Sequence, residues 1–333
     1  MENCILIDWF AVTFRQKGIS VHEIIKFLNF KYDTIKFTEF PGRYRYRSRL
    51  SFGNIHIYYN GMNEESDFPM LELTGQGCRE FETFSNLNLS DFVQIVADNP
   101  KDFHICRIDV AYDDHSDVFD IHTVINDEYQ RNYISKSSNG RITCDIKGNT
   151  DGFSAFFGSK SSDIYMRIYD KAIERGFKDG RHWVRLELVL KQGRAENFII
   201  DPKPLGVKFR GVLSDYIRFV KPNKTDSNKR RWKTKKYWSD FLGKVDPIKL
   251  FEKKDIDYNI SRLQRYVFHQ CGNSVDTYIK CVGFNRFLDE LLKRDTKLTA
   301  KQRYLIDQCK ILIEANEPVT EETIEMLSAN YKL

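Results

Sequence analysis

The sequence predicts an α+β protein: one antiparallel sheet built from two pseudo-repeated strand–helix–hairpin–strand–helix halves, followed by a helical C-terminal domain. Three observations predict it. Apolar and polar residues alternate at period two in several well-separated runs, among them Cys4–Phe14, Cys106–Asp114, Asp163–Lys171 and His182–Leu190, which is the spacing of half-buried strands. The same order of elements occurs twice before Ile200, as in a duplicated unit. Beyond Pro247 the apolar spacing becomes helical.

In the first half, Cys4–Phe14 reads as a strand and Val21–Phe30 as a short amphipathic helix capped by Ser20. Tyr44–Tyr59 reads as a hairpin turning near Gly53-Asn54, Met70–Thr74 as a strand, and Gly77 onward as a helix. The second half repeats this with a strand at Ile105–Tyr112, a helix at Phe119–Tyr133, a hairpin at Gly152–Tyr169, a strand at Val184–Leu190 and a helix from Arg194. Aligning the halves sets Asp8 against Asp109, Tyr59 against Tyr169 and Glu72 against Glu187, at offsets of 101, 110 and 115. Offsets that grow slowly imply small loop insertions in two copies sharing one sheet. The expected organisation is a catalytic domain over 1–220 (halves about 4–100 and 101–220), a basic aromatic segment over 221–246, and helices over 247–333. These helices are expected at Ile260–Cys271, Ser274–Lys293, Thr299–Ala315 and Thr320–Tyr331.

Composition narrows the class. The chain has 333 residues, 41% hydrophobic and 30% charged, enough for a large globular domain. It has no apolar run long enough for a membrane span, and its start lacks the basic n-region of a signal peptide. Seven scattered cysteines, an odd number with no C-x-x-C pair, are expected to be reduced thiols in a cytoplasmic protein. The net charge of +5 is uneven: Lys221–Lys236 holds eight basic residues against Asp226, a local +7, so the rest of the chain sums to −2. With Trp232, Tyr237 and Trp238 interleaved, Lys229, Arg230, Arg231, Trp232, Lys233, Lys235 and Lys236 are candidates for neutralising phosphates and stacking bases; a solvated linker is the plainer reading. Arg43, Arg45, Arg47 and Arg49 recur at period two, so a strand there would present them together to DNA, while a solvated hairpin tip is as good a reading.

The chemistry centres on Tyr169. Alternation places Tyr165, Arg167 and Tyr169 on one strand face, with Lys171 returning to it. A phenol is protonated at neutral pH, and neighbouring cations favour the phenolate a nucleophile needs. Asp109, Glu187 and Glu72 each stand between apolar residues that point the other way. Carboxylates brought together would need a partner: an oxygen-seeking divalent cation such as Mg²⁺ or Mn²⁺, or arginines, Arg107 sharing a face with Asp109 and Arg185 with Glu187. Asp113 and Asp114 read as loop or cap residues. No His-x-His pair, zinc spacing or P-loop occurs.

The segments Arg107-Ile-Asp-Val-Ala-Tyr-Asp113, Phe157-Gly158, Tyr165-Met-Arg-Ile-Tyr-Asp-Lys171 and Trp183-Val-Arg-Leu-Glu-Leu-Val-Leu-Lys191 resemble the rolling-circle replication initiators of the Rep_trans type and the related relaxases of integrative and conjugative elements. Met70–Gly77 is similar to that family's first-half strand, and Arg231-Trp232 with Trp238–Leu242 to the relaxase branch; the resemblance covers about 4–243. It implies a DNA nicking-closing enzyme in which Tyr169 attacks a phosphate to leave a 5′-phosphotyrosyl link and a free 3′-OH. It implies Asp109 and Glu187, with Glu72 as a third candidate, as ligands of Mg²⁺ or Mn²⁺, and Lys171 and Arg167 as phosphate assistants. The implied partners are an origin or oriT, single-stranded or a hairpin at the nick, and a host or element helicase; the protein would be a monomer or homodimer. The chain departs from the plasmid initiators at its abrupt start and in its helical tail. The alternatives are a metal nuclease using water and a non-catalytic origin-binding protein. The first reading requires the Tyr169 hydroxyl to be within reach of a cation held by Asp109 and Glu187, with its ring outside the interior.

Overall fold

The computed structural model describes residues 2–63, 68–147, 150–177, 179–244 and 271–294, with scattered positions between 263 and 310. Twelve strands carry the fold: β1 (Cys4–Phe14), β2 (Thr38–Pro41), β3 (Tyr46–Phe52), β4 (Ile55–Gly61), β5 (Met70–Leu73), β6 (Phe103–Asp114), β7 (Tyr133–Ser135), β8 (Gly140–Lys147), β9 (Thr150–Phe157), β10 (Ile164–Asp170), β11 (Val184–Lys191) and β12 (Ile217–Phe219). Ten of them form one sheet in the order β2-β3-β4-β5-β1-β6-β11-β10-β9-β8. Its pairings are antiparallel throughout. The order reads outward from β1 and β6 in the same way on both sides, β1 and β6 themselves pairing at the centre. The duplicated unit expected from the sequence is therefore a real feature of the sheet.

The register corrects two alignments. Ala11 stands opposite Glu72 as Ala111 stands opposite Glu187, so Trp9, not Asp8, is the counterpart of Asp109. Glu72 stands opposite His56, as Glu187 stands opposite Arg167. Two residues further along, Tyr58 takes the place that Tyr169 takes in the second half, and both hydroxyls donate to their glutamate. Tyr58, not Tyr59, is the counterpart of Tyr169. Tyr59 points the other way and bonds Glu39 on β2, because a one-residue slip reverses the face.

One face of the sheet is apolar and covered by helices. Ile108, Val110 and Tyr112 of β6, Leu186, Leu188 and Leu190 of β11, and Met166 and Ile168 of β10 lie in a single core. Over it pack α2 (Gly75–Phe84), α3 (Leu89–Asp98), α4 (Ile121–Tyr129), α6 (Gln192–Ile200) and α7 (Leu205–Tyr216); α1 (Val21–Phe27) and the one-turn α5 (Lys171–Glu174) complete the set before α8 (Lys236–Lys244). Ser20 caps α1 as expected, and Glu23 returns the bond to complete a capping box. Gly53 turns β3 into β4 at φ +55°, where a Cβ would strike the buried Glu80 carboxylate that holds Asn54; only glycine fits. Edge strands β2 and β8, helices α3 and α7 and the small β7–β12 pair were not foreseen, and the helix expected over Phe119–Tyr133 stops at Tyr129.

Two expectations about the basic regions change. The arginine run is not one strand: Tyr44 and Arg45 have φ of 60° and 85°, Tyr46 N donates to Arg43 O, and β3 begins only at Tyr46. Arg43 and Arg45 lie on a turn, so the four arginines do not form one row. Nor is the 221–246 segment a separate linker. Trp238 and Phe241 are buried in the main core beside Phe119 and Phe219, so the core continues past residue 220 through α8. Lys235 forms a pair with the buried Asp127, to which Tyr237 also donates. Arg218 holds the backbone oxygens of Arg230 and Trp232. Near the C-terminus, Gly272–Val282 and Phe284–Leu292 are helices broken at Gly283, φ +85°, where one helix was expected. Of the helix expected at Thr299–Ala315, positions 302, 303, 306, 307 and 310 are described and are helical, while the one expected at Thr320–Tyr331 and most of Ile260–Cys271 lie outside the described residues. Among the described residues no helix is long and apolar enough to cross a membrane.

Candidate active site

The sheet face opposite the core carries the polar residues. Strands β6, β11 and β10 are neighbours, and alternation turns Arg107 and Asp109, Arg185 and Glu187, and Arg167 and Tyr169 to this face. Register sets Glu187 between Arg167 and Ala111, and the small alanine leaves room beside the carboxylate. The Tyr169 hydroxyl donates to Glu187 Oε1 at 2.6 Å, and Lys171 Nζ donates to the same hydroxyl at 3.2 Å. Arg167 Nε donates to Glu187 Oε2 at 2.6 Å while its guanidinium lies over the Tyr169 ring at 4.6 Å. The structure thus brings together Tyr169, Lys171 and Arg167, as period two predicts, and Glu187, as the family resemblance implies.

Asp109 is adjacent. Arg107 grips both of its oxygens, Nε to Oδ1 at 2.8 Å and Nη2 to Oδ2 at 2.6 Å, and stacks on Trp9 at 4.2 Å. Two acids enter that sequence reasoning did not place here. Asp8 sits where the β1–β6 register shifts, and bulges re-aim side chains in this way; it pairs with Arg185 Nη1 at 2.9 Å. Asp113 is fully buried on β6, not in a loop, and takes Arg185 at 2.7 and 2.8 Å as well as the Trp183 indole. Asp114 is also on β6, although it does cap, accepting from Ser116 N and Phe119 N. Arg185 therefore serves Asp8 and Asp113, and Arg167 serves Glu187, where a pairing of Arg185 with Glu187 was the sequence alternative.

Electrostatics follow from this layer of alternating charges. Burial pushes the Tyr169 phenol well up, and the Glu187 carboxylate adds to the rise. Burial also raises Glu187, but Arg167, Arg185 and Lys171 together outweigh it and hold the carboxyl below its usual range. Burial, opposed by Arg107 and aided by Glu187 and Asp8, lifts Asp109 to about 7. Burial, with Arg185 and Arg175 beside it, lowers the Lys171 ammonium to about 8. Tyr169 is only 4% exposed, so the expectation of an open ring is not met. Arg167 and Lys171 lie over its ring, and the ring is outside the apolar cluster of the helix-covered face.

The expected metal ligands do not assemble. Among the described residues no three His, Cys, Asp or Glu groups converge to hold an ion. Both nominated carboxylates are already engaged, Asp109 by Arg107 and Glu187 by Arg167 and Tyr169. Glu72 on β5 is three strands from Glu187, roughly 14 Å at the usual strand spacing; it accepts from Tyr58 at 2.9 Å and Tyr44 at 3.3 Å. In this arrangement the residues do not fit a metal ion.

Of the expected DNA contacts, Arg43, Arg45, Arg47, Arg230, Arg231, Lys233 and Lys236 are exposed and Lys229 and Trp232 half-buried, while Lys235 is spent on Asp127. The basic segment is anchored on the helix-covered side through Phe219 and Trp238, away from the Tyr169 face. On the Tyr169 face sequence reasoning missed a cationic, aromatic strip: Arg141 and Lys160 over Phe156, and Lys191 over Tyr165. Period-two alternation at each of these strands was a usable signal, but the order of strands that joins them was not readable.

This geometry can be set beside known proteins. Residues 4–97 match the rolling circle replication initiation protein N-terminal domain. The chain is 28% identical over 269 residues to "Putative DNA relaxase NicK" of Bacillus subtilis (strain 168), covering 76% of this chain and 74% of that protein. A solved rolling circle replication initiator protein from Geobacillus stearothermophilus matches with a TM-score of 0.67 at 29% identity, covering 76% of this chain and all of that one. Residues 103–292, more than half of the chain, match the replication initiation factor family, and the protein belongs to that family.

Proposed function

We propose that the protein is a sequence-specific DNA nicking-closing enzyme that starts rolling-circle replication or conjugative transfer through a 5′-phosphotyrosyl intermediate at Tyr169. The observation that carries this is the Tyr169 hydroxyl held between a carboxylate acceptor, Glu187 at 2.6 Å, and the Lys171 ammonium at 3.2 Å. Glu187 takes the phenol proton as the oxygen attacks phosphorus. Lys171 and Arg167 stabilise the phenolate and the charge that grows on the phosphate. The Tyr–O–P bond forms as the P–O3′ bond breaks, and the strand end leaves as a 3′-hydroxyl. Reversal reseals the strand without ATP, because the phosphodiester energy is kept in the new ester. The melted strand lies along Arg141, Lys160 and Lys191, with helix unwinding supplied by a separate helicase.

Metal dependence, on Mg²⁺ or Mn²⁺, belongs to this reading, since such an ion would offset phosphate charge. Asp109 and Glu187, engaged by Arg107 and by Arg167 and Tyr169, do not fit it as they stand, and no step is assigned to it. Glu72 is read as the first-half counterpart of Glu187 and outside the site.

An origin oligonucleotide incubated with protein and Mg²⁺ and run on a denaturing gel tests the proposal. A covalent protein–DNA adduct is expected, mapping to Tyr169 and absent in Tyr169→Phe. Cleavage that persists in Tyr169→Phe would point to water as nucleophile. The burial of Tyr169 favours one rival, binding without cleavage, and the same gel would show that as retention with no cut strand. A second expectation concerns pH. Lys171, lowered to about 8, loses its proton and its charge as pH rises through that value. Initial nicking rates should therefore fall on the alkaline side of about 8, and Lys171→Arg, which keeps its charge, should move that fall upward.

A further inference from the structure

We propose that Tyr44 is a stacking platform for an unpaired base, carrying the DNA strand from the second half of the sheet face onto the first. This rests on the reading that DNA lies on the Tyr169 face. The turn between β2 and β3 holds the Tyr44 ring in place. Tyr44 and Arg45 occupy its two central positions at φ of 60° and 85°, where hairpins ordinarily place Asn-Gly. A bulky side chain in this left-handed region is disfavoured. Backbone bonds keep it there, from Tyr46 N to Arg43 O, Gly42 N to Arg47 O and Met62 N to Arg45 O, each 2.9 Å. The side chain is fixed as well: its hydroxyl donates to the buried Glu72 at 3.3 Å, and its ring meets the Tyr58 ring edge-on at 5.3 Å. Tyr58 is itself backed by Tyr46 at 5.9 Å. Tyr44 nevertheless remains 58% exposed. A ring already anchored and open to solvent loses little freedom when a base stacks on it.

Register places this ring at the end of a row that crosses the face. Lys191 stands opposite Arg107, Arg107 opposite Ala11, and Ala11 opposite Glu72. The small Ala11 leaves the row open between the Arg107 guanidinium and Tyr44. Arg107 is 28% exposed above Trp9, and together with Arg43 it lies near enough to act on the Tyr44 hydroxyl. Cations beside an exposed aromatic ring are the combination that takes up single-stranded DNA, the cations meeting phosphates and the ring a base. From Lys191 to Glu72 is three strand spacings, roughly 14 Å, or about four nucleotides at 3.4 Å each. The path along Arg141, Lys160 and Lys191 therefore continues over Arg107 to Tyr44. The two halves of the repeat are equipped differently for this. Tyr169 has Arg167 and Lys171 beside it, whereas Tyr58 lies beneath Tyr44, with His56 in the place of Arg167.

Fluorescence anisotropy of labelled oligothymidylate tests this, with an abasic oligonucleotide of the same length for comparison. Tyr44→Ala should weaken oligothymidylate binding by about fivefold to a hundredfold, the range for removing one base–aromatic contact, and leave binding of the abasic strand unchanged. The slope of affinity against salt should stay the same, since a lost base contact changes no phosphate contact. Tyr44→Phe loses the bond to Glu72 but keeps the ring, so it should bind within about threefold of the native protein. Tyr44→Gly relaxes the turn and removes the ring; its midpoint in urea should be no lower than that of Tyr44→Ala, and its binding equally weak. Unchanged oligothymidylate binding by Tyr44→Ala overturns the proposal, as does failure of the native protein to bind oligothymidylate. So does an equal loss on the abasic strand, a loss in Tyr44→Phe as large as in Tyr44→Ala, or recovery of binding in Tyr44→Gly, each of which would make Tyr44 a prop for the turn. An adduct at Tyr169 with unaltered binding by Tyr44→Ala would keep the nicking reading and remove the platform; the expected Tyr44 losses without any adduct would do the reverse.

Discussion

Glu187→Gln is expected to slow covalent adduct formation by about a hundredfold to ten-thousandfold, the range that a positioned proton acceptor contributes, while leaving DNA binding within a few-fold of the native protein. Glutamine keeps the shape of the side chain and can still accept from the Tyr169 hydroxyl, whose present bond to Glu187 is 2.6 Å. What it loses is the charge that can take the proton and the charge that balances Arg167. The phenol is held well above its ordinary value, chiefly by burial, so without a carboxylate acceptor the phenolate is out of reach near neutral pH. Single-turnover rates with saturating oligonucleotide separate this from a binding defect. A loss of less than about threefold would mean that Glu187 is a structural partner of Tyr169 and Arg167 and that another group takes the proton. Glu72→Gln is the matched control. It removes the same charge from the equivalent place in the first half, where Tyr58 is the donor, and adduct formation should change little.

The contrast between these two glutamates also explains how far the sequence could be read. Period-two alternation was enough to put Arg167, Tyr169 and Lys171 on one face and to find the strands Cys4–Phe14, Ile164–Asp170 and Val184–Lys191 within a residue or two. It was enough to recognise the duplication, but the order of the strands in the sheet came only with the structure. It was not enough to say which arginine meets which acid. Alternation fixes the face of a residue, whereas pairing depends on the neighbouring strand and its register. Arg185 and Glu187 share a strand and a face, yet each finds its partner elsewhere, in Asp113 and in Arg167. The repeat set Asp8 against Asp109, whereas the register makes Trp9 the counterpart of Asp109; the reach of Asp8 to Arg185 depends on a local shift in the β1–β6 register, which leaves no compositional mark. The position of the basic segment was not legible for a related reason: charge density records affinity for phosphate but carries no information about which side of the sheet it lies on. That was decided by Trp238 and Phe241, whose burial anchors it to the helix-covered side.

Arg185→Met is expected to cost about 3–5 kcal/mol of stability, the usual consequence of leaving a buried charge without its partner. Arg185 is 4% exposed and joins two acids: Asp113, fully buried, through two hydrogen bonds, and Asp8 through an ion pair at 2.9 Å. Methionine fills most of the same volume but takes the guanidinium away from both carboxylates, while Asp113 keeps the Trp183 indole and a weak thiol contact from Cys4. The loss should appear as a lowered midpoint in urea with the slope unchanged. Adding Asp113→Asn should recover part of it, because the neutral amide removes the stranded charge and can still accept from the indole. Lys136→Ala sets the scale for an ordinary ion pair: Lys136 and Asp215 are 62% and 70% exposed, so its effect should stay below about 1 kcal/mol. If Arg185→Met cost no more than Lys136→Ala, the buried charge layer would not be a stabilising frame for the site. Tyr169 lies directly opposite Arg185 in the sheet, so the same substitution should also loosen the nucleophile. A folded fraction selected at low temperature is then expected to form adduct more slowly than its concentration of native protein predicts.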